Sequence, residues 1–298
     1  MKNIKAAVLL SACILAVLTG CQTDKHTSSY FQSSKKASFN HIKGLGFAGE
    51  STLFIATEKG IHKYEDSKWH APSKNRNDYL SLAVAEDGIY TSGYKDGSKG
   101  NPLGLVKSKN QGKSLNTAGG IEKQAYDQLA ASFKTGEVYL FSRTEGGILH
   151  TADGGKNWSK SKLKGLTSKQ LGGMAADPDQ AGSIGIFAKE GIFLSTDHGG
   201  SFRLFPSEAP VTALAFGEDS ILYADLNEGR PAIYLLELAT MSKRQLSFLD
   251  ARPNNPILYL SVNPEDQEMI AAATYDNEIF LSRNSGQTWE QIKNSKKK

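Results

Sequence analysis

From about residue 40 onward, short apolar runs alternate with polar turns at a regular spacing. One set of runs comprises Leu45–Ala48, Leu80–Ala85, Leu129–Phe133, Met174–Ala176, Leu214–Phe216 and Leu258–Val262. Each is followed by a turn rich in Gly, Asp, Glu or Pro, such as Glu86-Asp87-Gly88, and then by a second run. The second set is Leu53–Ala56, Ile89–Thr91, Val138–Phe141, Ile184–Ala188, Ile221–Ala224 and Met269–Ala273. Apolar or β-branched runs of this length between turn signals predict strands. No long stretch with helical periodicity competes with them after the N-terminal leader.

An eight-residue phrase sets the period. It reads Thr151-Ala-Asp153-Gly-Gly155-Lys-Asn-Trp158, Ser195-Thr-Asp197-His-Gly199-Gly-Ser-Phe202 and Ser282-Arg-Asn284-Ser-Gly286-Gln-Thr-Trp289. A weaker copy is Ser108-Lys-Asn110-Gln-Gly112-Lys-Ser-Leu115, and Tyr64-Glu-Asp66-Ser-Lys-Trp69 has lost two residues and its Gly. Successive starts lie 44, 43, 44 and 87 residues apart, so one copy has decayed, near Leu236, and the chain holds six units. A repeat of about 43 residues carrying four strands predicts a propeller blade, and a closed ring leaves only short sheet edges. The predicted fold is therefore an all-β, six-bladed β-propeller over residues 41–298. Each phrase spans the hairpin between third and fourth strands. Asn110, Asp153, Asp197 and Asn284 are expected to bind backbone amides two residues on, with Gly in a positive-φ turn and Trp158 and Trp289 packing between blades. These side chains are read as structural.

The phrase resembles the Asp-box, or BNR repeat, of sialidases, xyloglucanase-type glycosidases, sortilin-type domains and photosystem assembly-factor-like propellers. Residues 101–108 and Ala176-Asp177-Pro178 resemble bacterial lipoproteins grouped with BNR-repeat glycosyl hydrolases. The resemblance covers nearly all of the chain past residue 40. It implies the fold, and spans families of different activity.

The N-terminus bears on location. Lys2 and Lys5 precede an apolar run, Ile4–Leu18, and Leu18-Thr19-Gly20-Cys21 matches a lipobox. A basic start, a short apolar core and small residues before a cut site read as a secretory signal. The expectation is a lipoprotein signal peptide over residues 1–20 and a lipid (palmitate) anchor on Cys21, with an uncleaved anchor as the alternative. Residues 21–40 then form the lipidated Cys and a flexible tether, unless Ser29–Phe31 adds a strand to the ring. Cys13 and Cys21 are the two cysteines, so a processed chain would hold no free thiol or disulfide. The location is then extracytoplasmic, on the cell membrane. The formal charge of +4 is too balanced for a nucleic-acid partner. A monomer is expected.

In a propeller the turns between second and third strands gather around the channel on the face opposite the phrases. In the families resembled, ligands sit there. Tyr94, Lys95, Arg143, Glu145, Arg230 and Tyr275 lie in or beside those turns and are the expected binding residues. The Gly-rich stretch Ser92–Asn101 is the longest turn and is expected to be mobile. Arg143 suits a carboxylate or sulfate-like group through its planar fork.

Glu58, Glu145, Glu190, Asp225 and Asp276 are the candidates for a glycosidase carboxylate pair, which needs a separation of roughly 5–9.5 Å. The seven arginines do not supply a clamp of three on the channel face, which argues against a typical sialidase. The six histidines show no metal-ligand spacing, and no nucleophile elbow or P-loop occurs, so no metal or cofactor is expected. The function expected is binding of a protein, peptide or cell-envelope glycan over the channel. An extracellular glycoside hydrolase and a membrane-complex assembly factor are the alternatives. If Cys21 is the anchor, Cys21→Ser will abolish both signal-peptide cleavage and labelling by a fatty-acid probe in cells. Unchanged labelling refutes that assignment.

Overall fold

The computed structural model describes residues 30–37, 39–121, 123–167, 171–248 and 252–293. The leader and Cys21 lie outside these residues. Six antiparallel sheets, each built from one continuous stretch of chain, form the blades. The strands nearest the channel are Ile42–Ala48, Asp78–Ala85, Leu129–Ala131, Gly173–Ala176, Val211–Phe216 and Ile257–Val262. Each begins a meander whose neighbours pair in chain order. The six-bladed, all-β prediction holds. The N-terminal question is also answered. Phe31–Ser34 pairs antiparallel with Lys68–Pro72, adding a fifth strand outside blade 1. Tyr30, Phe31 and Phe39 are buried, so the segment read as a tether packs from Tyr30 onward.

The core is six clusters, one in each cleft between adjacent blades. Blades 2 and 3, for example, enclose Tyr90, Leu105, Tyr126, Val138 and Leu149, and blades 4 and 5 enclose Phe187, Ile192, Phe216 and Tyr223. Burying each such side chain contributes ~1.5–3 kcal/mol. A blade alone would leave both its faces wet, so the ring is the folding unit.

Among the described residues the ring closes without a shared strand. Blade 6 ends at Glu290–Lys293, its own outer strand. The seam is made by burial of Phe39, Ile42, Phe47 and Trp69 against Met269, Ile279 and Leu281. Phe39 meets Trp69 edge-on at 5.3 Å. Three contacts fix the register across the seam. The Ile42 N–H donates to Asn277 Oδ1 at 2.9 Å, Trp69 Nε1–H to the Ile292 carbonyl at 3.1 Å, and Asn263 Nδ2 to the Glu50 carbonyl at 2.9 Å.

The repeated phrase forms one geometry four times. Its first hydroxyl accepts the glycine N–H, at 2.7 Å for Ser108, 3.1 Å for Thr151, 2.9 Å for Ser195 and 2.9 Å for Ser282. All four glycines have positive φ, from 76° to 93°. The acid or amide accepts an N–H four residues on, for example Ser201 N–H to Asp197 Oδ1 at 2.8 Å. That span differs from the two residues expected. The Ser or Thr hydroxyl already holds the nearer amides, which leaves the Asp or Asn oxygen to close the wider loop. The indole N–H of Trp158 donates to Gly119 O at 3.0 Å, and that of Trp289 to Ser247 O at 2.6 Å. Both carbonyls belong to the link before the blade, so the phrase ties each blade to its predecessor. In blade 1 the shortened copy becomes a two-residue turn with Asp66 and Ser67 both at positive φ.

Two outcomes follow. Phe39→Ala should lower unfolding free energy by about 3–5 kcal/mol in urea titration, since it empties the seam. A loss under 1 kcal/mol would place closure elsewhere. Backbone N–H from Ser201, with hydroxyls from Ser195 and Ser201, pulls the Asp197 carboxyl down to about 2. A depressed folded value means stability present above the ordinary range near pH 4 and lost as pH falls towards 2. Asp197 is exposed, so screening limits the effect, and Asp197→Ala should cost on the order of 1 kcal/mol at pH 7. Asp197→Asn, which copies Asn110 and Asn284, should retain most of that stability and flatten the acid limb. Acid denaturation curves that coincide for wild type and the Asp197→Asn variant would contradict this.

Candidate functional site

The inner strands place side chains in the channel at every second position. At the waist stand Leu45, Leu82, Leu129, Met174, Leu214 and Leu260. The five leucines are 6–8 % exposed and line cavities on both sides of themselves. Two residues further along each strand come Phe47, Val84, Ala131, Ala176, Phe216 and Val262, which wall a cup of about 130 Å³ towards the phrase-bearing face. Two residues earlier come Lys43, Asp127, Gly172 and Leu258, which help wall a larger cup of about 310 Å³ on the opposite face. The channel is thus two cups on a leucine waist, one walled mainly by apolar strand residues with Ser261 among them and one with a charged wall.

The larger cup is chemically mixed. Asp127 Oδ2 accepts from Arg143 at 2.7 Å. Both side chains are largely exposed, so the pair contributes little to stability. Gln128 donates Nε2–H to Leu171 O at 3.2 Å, while its buried Oε1 has no hydrogen-bond partner among the described residues. Gly172 and Gly173 lie flat on the Phe187 ring, where a Cβ on either would come within 2.5–2.7 Å of ring carbons. Burial pushes the Tyr259 phenol up to about 12, so it is a neutral donor at ordinary pH. Lys43 makes no ion pair among the described residues.

The predicted binding residues are spread around this face. Arg143 reaches the cup through Asp127. Tyr275 is 65 % exposed, the most exposed large apolar side chain among the described residues. Tyr94 ends a strand, paired to Asp78 and Pro102. Lys95 begins a short 3-10 turn, and the stretch Ser92–Asn101 is closed on itself by Lys95 N–H to Asn101 O at 3.0 Å and Asn101 N–H to Ser98 O at 2.9 Å. Arg230 flanks the tight hairpin at Glu228-Gly229. Glu145 lines a separate cavity on the blade 3 flank. No hydrogen bond or ion pair joins any two of these six among the described residues.

The candidate acids are also dispersed. Glu58 sits 3.9 Å from His41. Glu190 has a buried Oε2 with no hydrogen-bond partner among the described residues. Asp225 is 5 % exposed within a strand, and burial raises its pKa against the lowering charge of Lys243. Asp276 is 3.5 Å from Arg252, which also holds the buried Glu278. None of these lines the larger cup, where Asp127 is the one carboxylate among the described lining residues. Lys43, Asp127, Gln128 and Tyr259 were not read from the sequence as site residues. A signal existed for two of them, because Lys43 and Asp127 each precede a waist leucine by two.

No family model matches the chain, and no curated protein sequence does. Solved structures are similar in fold. The GH74 enzyme of Niastella koreensis is 18 % identical with a TM-score of 0.58, over 88 % of this chain and 46 % of that one. YCF48 bound to D1 peptide is 14 % identical with a TM-score of 0.53, over 89 % and 85 %. The nidogen/laminin complex gives 12 % and 0.61, over 82 % and 93 %. The chain spans about half the length of the GH74 enzyme, and the likeness to all three is that of a β-propeller.

Proposed function

We propose that the chain is an exported, lipid-anchored propeller that holds a segment of a partner protein on the face opposite the repeated hairpins. The observation that carries this is the larger cup. Its leucine floor accepts one apolar side chain, while Lys43, Gln128 and the Asp127–Arg143 pair stand where a peptide backbone would cross the rim. Apolar floor with a few directed polar groups is the general form of a ligand site. The likeness to YCF48, solved with a peptide, and to the nidogen/laminin complex supports a protein ligand, and the likeness to the GH74 enzyme keeps the hydrolase as the second reading. The exposed Tyr275 supplies an aromatic contact of the kind enriched at interfaces. Anchoring through Cys21 would keep the propeller outside the cell, acting as a monomer near membrane partners.

A glycosidase needs two carboxylates acting together. Asp127, the one carboxylate among the described lining residues and paired with Arg143, favours binding over hydrolysis. Photo-crosslinking tests the reading. With p-benzoylphenylalanine at position 43, the cup wall, cells should yield a discrete crosslinked protein. The same probe at position 109, on the phrase-bearing face, should yield none. Equal crosslinking from both positions, or none from either, contradicts the reading. Release of reducing ends from envelope glycans by wild type, abolished by Asp127→Asn, would replace it with the hydrolase.

A further inference from the structure

Three tryptophans occupy equivalent or near-equivalent places after the third strand of a blade, and one of them differs. Trp69 and Trp289 are 5 % and 6 % exposed. Aromatic rings cover both. Phe39 and Tyr64 lie 5.3 and 4.9 Å from Trp69, and Phe248 lies 5.4 Å from Trp289. Trp158 is only partly buried and has no aromatic neighbour of this kind among the described residues. Instead it lines a cavity of about 470 Å³ on the flank of the ring, between the link that precedes blade 3 and the outer edge of that blade.

The indole in that cavity is rigidly held. Its Nε1–H is spent on Gly119 O at 3.0 Å and Gly155 O at 3.1 Å. A Cβ on Gly120 would lie 2.9 Å from Trp158 Cδ1, so the link backbone seats one edge of the ring. Ile121, Leu149 and the fully buried Tyr126 complete an apolar floor. At the edge stand two exposed groups of opposite charge. The Lys160 ammonium donates to the Glu145 carbonyl, which leaves it further donors. The Glu145 carboxylate makes no hydrogen bond or ion pair among the described residues.

We infer that this flank cavity is a carbohydrate subsite for a neutral pyranose unit. A pyranose offers an apolar C–H face to a flat, preorganised indole. Its equatorial hydroxyls need both an acceptor and a donor at the ring edge, which Glu145 and Lys160 provide through charge-assisted hydrogen bonds. The opposite charges cancel, so a neutral sugar suits the site better than an acidic one. The volume lies in the usual range of small-ligand pockets, ~300–1,000 Å³. A proline-rich peptide is disfavoured, because such segments dock in grooves lined by several aromatic faces. Only the Trp158 ring is open here, since Tyr126 is 1 % exposed. The site stands apart from the channel cup and does not rest on the protein-binding reading.

The test uses the full-length chain in detergent and two probes, the β-1,4-linked tetramers of glucose and of N-acetylglucosamine. Saturation-transfer NMR should show one or both binding, with sugar ring protons nearest the protein. Glu145→Ala and Lys160→Met should each weaken that binding at least 5-fold without moving the melting temperature. Trp158→Phe, which places at this position the ring found at Phe202, should weaken it by a comparable factor while the chain stays folded. Crosslinking from position 43 should be unchanged in all three variants. The inference is overturned if neither tetramer binds wild type, if binding survives all three substitutions, or if a proline-rich decapeptide binds there in their place.

Discussion

Everything in this molecule depends on burial between blades. Each four-stranded sheet has two apolar faces, and each face is satisfied only by the next sheet round. The seam between blades 6 and 1 therefore carries the constraint for the whole ring. Among the described residues no strand crosses it, so packing of Phe39, Trp69, Met269 and Leu281, with three isolated hydrogen bonds, stands in place of a shared ladder. The segment before blade 1 serves the same end. Phe31–Ser34 covers the outer edge of that sheet, and Tyr30 and Phe31 deepen the core between blades 1 and 2. An edge left open there would invite pairing with another chain.

The channel inherits its chemistry from strand register. Because side chains alternate across a strand, fixing one leucine per inner strand at the waist fixes what stands two residues to either side. On the phrase-bearing side those positions are all apolar. On the other side they include Lys43, Asp127 and Gly172. The two faces of the ring are therefore unequal before any loop is considered, and the polar cup lies on the face that the turns also decorate.

The fold was legible because its determinants are local and repeated. The glycines at 112, 155, 199 and 286 mark the same turn, and apolar runs recur at fixed offsets from them. Even the blade without a phrase could be placed, since Ile233–Leu236 keeps the third-strand pattern. The site was less legible for a physical reason. Turn charges such as Arg143 and Glu145 stand close in sequence, but one pairs with Asp127 at the cup and the other lines the flank cavity with Trp158. The direction of Arg143 is set by Asp127 in a blade link, and such links vary in length and follow no period. The same holds for Trp158. The repeat predicts that the indole packs between blades, but not that its outer face lacks the aromatic cover given to Trp69 and Trp289.

Native-state hydrogen exchange of the full-length chain tests the central claim, that six inter-blade cores act as one closed unit. The account predicts that amides of the six inner strands, Ile42–Ala48 and Ile257–Val262 included, exchange together, with a common opening free energy and a common denaturant dependence. The outer strands and the Ser92–Asn101 turn should exchange earlier. If the inner strands of blades 1 and 6 open well before those of blades 3 and 4, the ring is not closed by its seam, and a cup that needs all six walls has no stable frame.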